Sequence, residues 1–225
     1  MTESVLVSGG SGGIGTALCR RLADAGLRPV VGYASAADAA EATAAATGGI
    51  ALPLDLTSAT GIVSALDTLT AMQTELAGVV LAASPPPAIA PLFRLPDDEM
   101  AKQWSVNVAG ALMLLDGAVK RFMRPRKKGW VVGVLSDAMG LEGTAAKSMG
   151  GYIVAKYGLM GLLKVLEAEY PWLNVRTVSP GYTETAMLDV FDGRFLDQMR
   201  AAAPGGRFAT PGEVAEEIMV LVRDL

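Results

Sequence analysis

Residues 4–15 read Ser-Val-Leu-Val-Ser-Gly-Gly-Ser-Gly-Gly-Ile-Gly, a short apolar run that leads directly into a glycine-rich turn. A helical pattern follows, with Ala17, Leu18 and Leu22 as its apolar positions. This order predicts a strand, a tight turn and a helix. Glycines in such a turn let the backbone approach a pyrophosphate closely, and the helix N-terminus supplies free N–H groups and the positive end of a dipole. The stretch therefore predicts a nucleotide site, against the alternative of a glycine-rich turn that binds no ligand.

The spacing of these glycines fits more than one form of the dinucleotide fingerprint. Positions 10, 12 and 15 fit the general form, positions 9, 12 and 15 fit a second form, and positions 9, 13 and 15 fit a third. The glycine spacing alone leaves all three forms open.

Beyond this first unit, β-like runs alternate with helical stretches rich in Ala and Leu. With the first strand, these runs span residues 3–7, 29–33, 50–54, 78–82, 130–135 and 174–178. Strands that alternate with helices pair in parallel, and apolar, Val-rich strands suit a sheet that is covered on both faces. The predicted fold class is therefore α/β, a doubly wound parallel sheet of about six strands with its ligand crevice at the carboxyl ends of the strands.

The composition limits the possible partners. The chain has 225 residues, of which 51% are hydrophobic and 19% charged, and we predict one domain over residues 1–225. A formal net charge of -4 gives no reason to expect nucleic acid or an anionic membrane as a partner. The N-terminus has no signal-like pattern and Cys19 is the only cysteine, so we expect a cytoplasmic protein without internal disulfides.

The sequence contains no histidine. The commonest metal ligand and the commonest general base are therefore both missing, and no metal site is predicted. Proton chemistry must fall to Tyr, Lys or carboxylate side chains.

Tyr152 and Lys156 stand four residues apart, which places a phenol and an ammonium on one helix face, one turn apart. A fixed cation favours the phenolate and moves the pKa of a tyrosine toward neutrality. The pair therefore suits proton transfer to or from a substrate oxygen. The alternative is an ordinary amphipathic helix, in which the Tyr packs and the Lys is solvated.

Taken together, these segments resemble the short-chain dehydrogenase/reductase family over nearly the whole chain, in the branch that contains 3-oxoacyl carrier-protein reductases. Five ordered motifs carry the resemblance: the turn at 8–15, Leu-Pro-Leu-Asp at 52–55, Trp-Ser-Val-Asn at 104–107, the Tyr152/Lys156 pair, and Ser-Pro-Gly-Tyr-Thr-Glu-Thr at 179–185. The resemblance implies a Rossmann-type fold and an NAD(P)(H)-dependent ketoreductase. It implies that the cofactor is bound by Gly9, Ser11, Gly13, Ile14, Gly15, Ser35, Asp55, Leu56, Ala82, Ala83, Lys156, Pro180, Gly181 and Thr183.

The resemblance also implies that Asn107, Ser136, Tyr152 and Lys156 are catalytic. Ser136 would hold the carbonyl oxygen and Tyr152 would deliver a proton to it. Lys156 would lower the pKa of Tyr152 and bind the nicotinamide ribose, while Asn107 would hold a water linked to Lys156. By register, Asp137 takes the place of the family's catalytic Ser, but the interval to Tyr152 is longer than is common. We interpret Ser136 as the substrate-oxygen donor and keep Asp137 as the alternative.

The end of the second strand bears on the choice of cofactor. No Asp stands near Tyr33 to bind the adenosine ribose hydroxyls, and no Arg stands at Gly12 or Ala34. Ser11 and Ser35 are small hydroxyl residues that could accommodate a phosphate. NADPH is therefore the predicted cofactor, with NADH as the alternative.

Two segments bear on the substrate. An apolar set lies where the family places its substrate lid, near 183–203, although core packing is the alternative: Met187, Leu188, Val190, Phe191, Phe195, Leu196 and Met199. A basic cluster precedes the fifth strand: Lys120, Arg121, Arg124, Arg126, Lys127 and Lys128. Similar reductases bind an acidic carrier through basic patches, while a solvated helix end is the alternative. A carrier-bound 3-ketoacyl chain is the first candidate substrate, within the wider class of small-molecule or carrier-bound carbonyls.

The chain also departs from the family pattern. After the fourth strand, Leu-Ala-Ala-Ser at 81–84 replaces Asn-Asn-Ala-Gly, so the usual side-chain support of the strand ends is lost or supplied differently. Relatives usually continue into a seventh strand beyond the position of Leu225, so we predict that this strand is absent. A homodimer through the helices around 108–125 and 151–169 is expected.

Two other classes of function compete with a ketoreductase. One is a catalytically idle nucleotide-binding or scaffold subunit of the same fold, which the changed residues 81–84 favour and the motif residues Asn107, Tyr152 and Lys156 oppose. The other is a sugar-nucleotide epimerase or dehydratase, which generally needs a longer substrate domain than the chain after residue 185 provides.

Overall fold

Six strands form one parallel sheet in the computed structural model, which describes residues 2–223. The strands are β1 (Ser4–Ser8), β2 (Arg28–Tyr33), β3 (Ile50–Pro53), β4 (Leu76–Leu81), β5 (Trp130–Val134) and β6 (Asn174–Val178). Their order across the sheet is β3-β2-β1-β4-β5-β6, and every neighbouring pair is parallel. The chain therefore adds β2 and β3 on one side of β1. It then crosses to the other side of β1 and adds β4, β5 and β6 in order.

Eight α-helices connect and cover these strands within the described residues. They are α1 (Gly13–Asp24), α2 (Ala37–Thr47), α3 (Ala59–Ala71), α4 (Glu99–Trp104), α5 (Ala111–Ala118), α6 (Gly150–Glu169), α7 (Gly193–Ala202) and α8 (Pro211–Arg223). A π-helical segment, Ser105–Gly110, joins α4 to α5 without a break. None of the helices described is long and apolar enough to cross a membrane.

The sheet separates two apolar cores. Successive strand residues face opposite sides, so Leu6 packs in one core and Val5 and Val7 pack in the other, all at 0% exposure. Helices α3, α5 and α6 cover the first core, and α1, α2 and α8 cover the second. Burial on both faces explains why β1, β4 and β5, which are buried at every position, are largely apolar rather than alternating.

The sequence prediction of the fold is confirmed. Each of the six predicted strands forms, with its ends displaced by two residues at most. The doubly wound order places the crevice at the carboxyl ends of the strands, on both sides of the switch between β1 and β4. The predicted residues Asp55, Ala82, Ser136 and Pro180 all lie just after strand ends, at this same edge.

The support that residues 81–84 do not supply comes from Ser8, at the end of β1. Its hydroxyl donates to the carbonyl of Val80 at 3.3 Å and accepts from the N–H of Ala83 at 3.3 Å. The backbone carbonyl of Ser8 also accepts from the N–H of Ala82 at 3.2 Å. One buried serine therefore fixes the end of β4, where the family uses asparagine side chains.

Candidate active site

The glycine turn after β1 folds back on itself. Gly9 has φ +69°, and its carbonyl accepts from the N–H of Gly12 at 3.0 Å. A Cβ on Gly9 would lie 2.8 Å from the Cα of Ala83, and a Cβ on Gly15 would lie 2.2 Å from the carbonyl oxygen of Gly9. Side chains are therefore excluded at both positions by the backbone itself.

Helix α1 begins directly after this turn. Its N-cap is Gly12, so no side chain caps the helix and the first N–H groups stay available. A Cβ on Gly13 would lie 2.6 Å from the Thr185 methyl group, which shows that the 180–185 segment passes over the turn. The result is a narrow cradle with free donors and a positive dipole end, and it fits a pyrophosphate.

Replacing Gly15 with Ala tests this cradle. The added methyl collides with a backbone carbonyl, so we expect a loss of about 1–3 kcal/mol in the free energy of unfolding. Displacement of the turn is expected to weaken nucleotide binding about ten-fold or more, which corresponds to about 1.4 kcal/mol. Gly161→Ala is the matched control, because a Cβ there meets nothing within 4 Å and Ala favours a helix. Urea unfolding and a fluorescence titration with dinucleotide give both quantities. Unchanged binding by the Gly15 variant would contradict the cradle.

Tyr152 and Lys156 lie on α6 and line one cleft together with Ser136, which follows β5. The cleft has a volume of about 300 Å³. The Nζ atom of Lys156 donates to the carbonyl of Val134 at 2.8 Å and lies 5.5 Å from the centroid of the Tyr152 ring. Both side chains are buried, Lys156 almost completely. The i, i+4 spacing therefore brings the two groups into one enclosed site.

Burial dominates the titration of both groups. It lowers the pKa of Lys156 to about 7, so this lysine changes charge near neutral pH. Burial raises the pKa of Tyr152, while an interaction with the Ser136 side chain acts to lower it. The net direction for Tyr152 is opposite to the lowering expected from the sequence, because desolvation of the phenolate outweighs the favourable neighbours.

Ser136 and Asp137 both line the cleft but differ in environment. The Ser136 hydroxyl is buried, accepts from the N–H of Ala138 at 3.2 Å and faces Tyr152. The Asp137 side chain is exposed, and its backbone N–H donates to the carbonyl of Pro180 at 2.9 Å. The turn Asp137–Met139 takes up part of the long interval before Tyr152. This geometry favours Ser136 over Asp137 as the neighbour of the tyrosine hydroxyl.

The comparison with known proteins agrees with this arrangement. A family model described as enoyl-(acyl carrier protein) reductase matches residues 9–225. The chain belongs to the short-chain dehydrogenase/reductase family. Like other members, it is an NAD(P)H-dependent oxidoreductase.

Its relatives act on different compounds. The chain is 30% identical to the 3-oxoacyl-(acyl-carrier-protein) reductase FabG of Aggregatibacter actinomycetemcomitans, over 99% of this chain and 92% of that protein. It is 28% identical to the D-threitol dehydrogenase of Mycolicibacterium smegmatis, over 97% of this chain and 85% of that protein. Among solved structures, a short-chain dehydrogenase/reductase from Serratia marcescens superposes with a TM-score of 0.86 at 26% identity, over 97% of this chain and 89% of that one.

The structure places the other predicted site residues of this short-chain dehydrogenase/reductase along the same edge of the sheet. Those that line the cleft with Tyr152 are Ile14, Ala82, Pro180, Gly181 and Thr183. Those outside the cleft lining, at the ends of β1 to β4, in the turns that follow or in the first turn of α1, are Gly9, Ser11, Gly13, Gly15, Ser35, Asp55, Leu56 and Ala83. The Asp55 carboxylate accepts from the N–H and the hydroxyl of Thr57, at 2.8 and 2.7 Å.

Asn107 lies behind the cleft, in the π-helical segment, with 2% of its surface exposed. Its side-chain Nδ2 donates to the backbone carbonyl of Gln103 at 3.0 Å and to the Gln103 side chain at 3.2 Å. Its Oδ1 is buried and has no hydrogen-bond partner. The sequence predicted Asn107 as a site residue but did not indicate that Gln103 orients its side chain.

Two further features of this family member were missed. Ser84 lines the cleft, and its hydroxyl oxygen is buried without a partner. It stands where the family has Gly, and that departure was the only available signal. Met149 and Thr144 also line the cleft, from the loop before α6, whose path depends on contacts remote in sequence.

Proposed function

We propose that the protein is a ketoreductase that reduces an uncharged, largely apolar carbonyl compound with Tyr152 as the proton donor. The observation that carries the proposal is the convergence of Tyr152, Lys156 and Ser136 in one cleft, which Ile14 at the start of α1 also lines, directly after the glycine-turn cradle. A proton donor, a hydrogen-bond donor for an oxygen and a dinucleotide site are the parts that carbonyl reduction needs.

A bound nicotinamide supplies the hydride that reduces the carbonyl carbon. Ser136 holds the substrate oxygen through its hydroxyl, and Tyr152 transfers its phenolic proton to that oxygen as negative charge develops there. Lys156, fixed by the Val134 carbonyl and titrating near neutral pH, stabilises the phenolate that remains. Lys156 would hold the nicotinamide ribose, and the Pro180–Thr183 segment would close over the nicotinamide. Asn107 holds a water that returns a proton toward Lys156.

The wall of the cleft opposite the sheet supports an apolar substrate. Residues 186–191 and α7 contribute Met187, Leu188, Phe191 and Met199 to the lining, and we assign residues 183–203 as the substrate lid. The rings of Tyr182 and Phe191 lie 5.8 Å apart, edge to face. Such a wall favours hydrocarbon or aromatic groups over polyols.

The charged residues that line the cleft further restrict the class of substrate. Lys156 is the only cation among the described lining residues, and its Nζ is engaged by Val134. The remaining charged lining residue is the carboxylate of Asp137. A carboxylate or phosphate on the substrate would therefore meet repulsion without a compensating partner. Uncharged ketones and 3-ketoacyl thioesters fit this cleft better than sugar acids or sugar phosphates.

The basic cluster before β5 is a poor docking surface for an acidic carrier. Four of its six cations pair with acidic side chains: Lys120 with Asp116, Arg121 with Asp67, Arg126 with Glu75 and Lys128 with Glu3. The cluster also lies at the start of β5, about 16 Å of strand away from the cleft edge. The thioester therefore enters as a small molecule, or with a carrier that docks elsewhere.

NADPH is the proposed cofactor. Ser35 is exposed just after β2, where a 2′-phosphate would lie, and no carboxylate follows Tyr33 to exclude it. Ser11 lies in the glycine turn beside the same edge. Small hydroxyls can donate to a phosphate, whereas they form no chelate with ribose hydroxyls as an Asp does.

One assay tests the function directly. Consumption of NADPH and NADH is followed with a panel of apolar ketones, 3-ketoacyl thioesters, keto sugars and keto acids at neutral pH. We expect turnover of the first two groups with NADPH, and at least about ten-fold lower kcat/KM for the charged compounds, since one unpaired charge costs more than 1.4 kcal/mol. Cofactor binding without turnover of any carbonyl would instead support the alternative of an idle nucleotide-binding subunit.

We further propose that the protein forms a homodimer through α5 and α6. Large apolar side chains stand exposed on these two helices, among them Leu112, Met113, Val154 and Val165. Several large exposed apolar side chains on two neighbouring helices are typical of a subunit interface.

A further inference from the structure

Three polar side chains are buried one above another beside the active site. Glu99, Gln103 and Asn107 follow each other at intervals of four residues along α4 and the π-helical segment, so they lie on one face. They are 3%, 0% and 2% exposed. We call this set the polar ladder. Polar groups at such depth are expensive unless each finds a partner, so their partners define their role.

The outer end of the ladder clamps the loop after β4. Gln103 Nε2 lies 3.3 Å from the carbonyls of both Pro85 and Pro86, and 3.0 Å from Glu99 Oε1. The same Glu99 oxygen accepts from the N–H of Ala88 at 3.0 Å. Prolines donate no hydrogen bonds, so residues 85–87 cannot be held by a strand ladder. The ladder supplies most of the contacts that hold this loop, and Lys102 Nζ adds a donor to the carbonyl of Pro86 at 3.3 Å.

The inner end of the ladder fixes the amide of Asn107. Its Nδ2 has two hydrogens, and both acceptors within reach belong to Gln103, one backbone and one side-chain oxygen. With Nδ2 held there, Oδ1 must point the other way, and it is buried with no partner. A buried acceptor left without a donor destabilises the fold, so the orientation is imposed by Gln103 and not by a partner of Oδ1.

The ladder contacts Pro85 and Gly151, the sequence neighbours of two cleft-lining residues, Ser84 and Tyr152. Ser84, which immediately precedes the clamped prolines, lines the cleft with a buried, unpartnered hydroxyl. Gly151, the residue before Tyr152, packs so closely on the ladder that a Cβ there would lie 2.9 Å from Glu99 Cγ. A shift of the ladder would therefore move the Ser84 loop, the Asn107 amide and the start of α6 together.

We propose that Glu99 and Gln103 are positioning residues, which hold the Asn107 amide and the Ser84 loop in the geometry that carbonyl reduction requires. The proposal rests on the proposed function and adds two residues that act through others. A purely structural role for the ladder would lower stability without changing turnover in the folded protein.

The test compares three variants. Gln103→Met keeps the length and apolar stem of the side chain but removes every hydrogen bond that its amide makes. Glu99→Gln keeps an acceptor for Ala88 and Gln103, and serves as the conservative rescue. Thr43→Val removes a buried hydroxyl that donates to the carbonyl of Ala39 on α2, outside the cleft lining, and serves as the stability control. For each, we measure kcat and KM for the carbonyl, Kd for NADPH, the melting temperature and hydrogen exchange at the backbone N–H groups of residues 88–90.

We expect Gln103→Met to lower kcat by about ten- to a hundred-fold, because small displacements of positioned groups cost that much. NADPH Kd is expected to stay within about two-fold, since the glycine cradle is untouched. Glu99→Gln should keep kcat within about three-fold of the parent, and Thr43→Val should lose stability but not turnover. Exchange at residues 88–90 should accelerate in the Gln103 variant.

Parent-level kcat in a folded Gln103→Met protein would overturn the proposal. If Gln103→Met does not fold, Glu99→Met replaces it in the test, and parent-level kcat in that variant would overturn the proposal. A parent protein that binds NADPH and reduces no carbonyl would contradict the proposed function instead. In that case the hydrogen exchange still tests the ladder. Unchanged exchange at the N–H of Ala88 in the variants would show that Glu99 and Gln103 do not hold the loop after β4.

Discussion

Replacement of Tyr152 with Phe is expected to lower kcat about a thousand-fold, within the range that a positioned general acid contributes. The variant loses the only cleft hydroxyl that faces Ser136 from α6, and no histidine exists in the chain to replace it. Because burial raises the pKa of Tyr152, its proton is in place at neutral pH and ready for donation. The protonated phenol is the form that carbonyl reduction requires.

The control for this loss is Tyr170→Phe, which removes the same atom from a tyrosine at the far end of α6. It should keep parent-level kcat. NADPH affinity should be unchanged in both variants, because neither hydroxyl belongs to the glycine cradle, and a fluorescence titration measures this. Turnover by the Tyr152 variant within about ten-fold of the parent would remove Tyr152 from the mechanism, since a general acid contributes at least about a hundred-fold.

The fold could be predicted from the sequence because its signals are local. Each strand is a short apolar run, each is followed by a helical pattern, and the right-handed crossover rule converts that alternation into a parallel sheet. The same rule placed Asp55, Ala82, Ser136 and Pro180 at one edge before any contact was known. Even the approximate ends of the strands follow from glycines and prolines near them.

The details of the site could not be predicted, because they depend on contacts between residues far apart in the chain. Ser8 supports the end of β4 across 72 residues, and nothing local distinguishes it from other serines. Gln103 would be expected on a solvated helix face, yet it is fully buried against a proline loop. The pKa direction of Tyr152 depends on burial, which spacing does not reveal. Sequence spacing identified the site residues, but their pKa values and hydrogen-bond partners depend on tertiary packing.

Replacement of Lys156 with Met is expected to have opposite effects on activity and on stability. Activity should fall about a hundred-fold or more, because the phenolate of Tyr152 loses its cation. Stability should rise at pH 7. Burial lowers the pKa of Lys156 from 10.5 to about 7, so the folded state is penalised wherever the unfolded lysine is protonated. A pKa change of one corresponds to about 1.4 kcal/mol, so removing the lysine relieves a penalty on the order of 4 kcal/mol, less the lost bond to Val134.

The pH dependence of that stability distinguishes this account from ordinary packing. Between pH 7 and 10.5 the unfolded chain binds a proton at Lys156 that the folded protein does not, so the parent becomes more stable as pH rises through this window. The Met variant lacks this rise, so its advantage in urea unfolding should be largest at pH 7 and below, and should shrink toward pH 10. Lys164→Met on the same helix is the control, because that lysine is 73% exposed and should show no such difference.

An advantage that does not change with pH would mean that Lys156 is not desolvated. A variant both more stable and less active would show that Lys156 is retained for chemistry, because a side chain retained for packing destabilises the fold when it is removed.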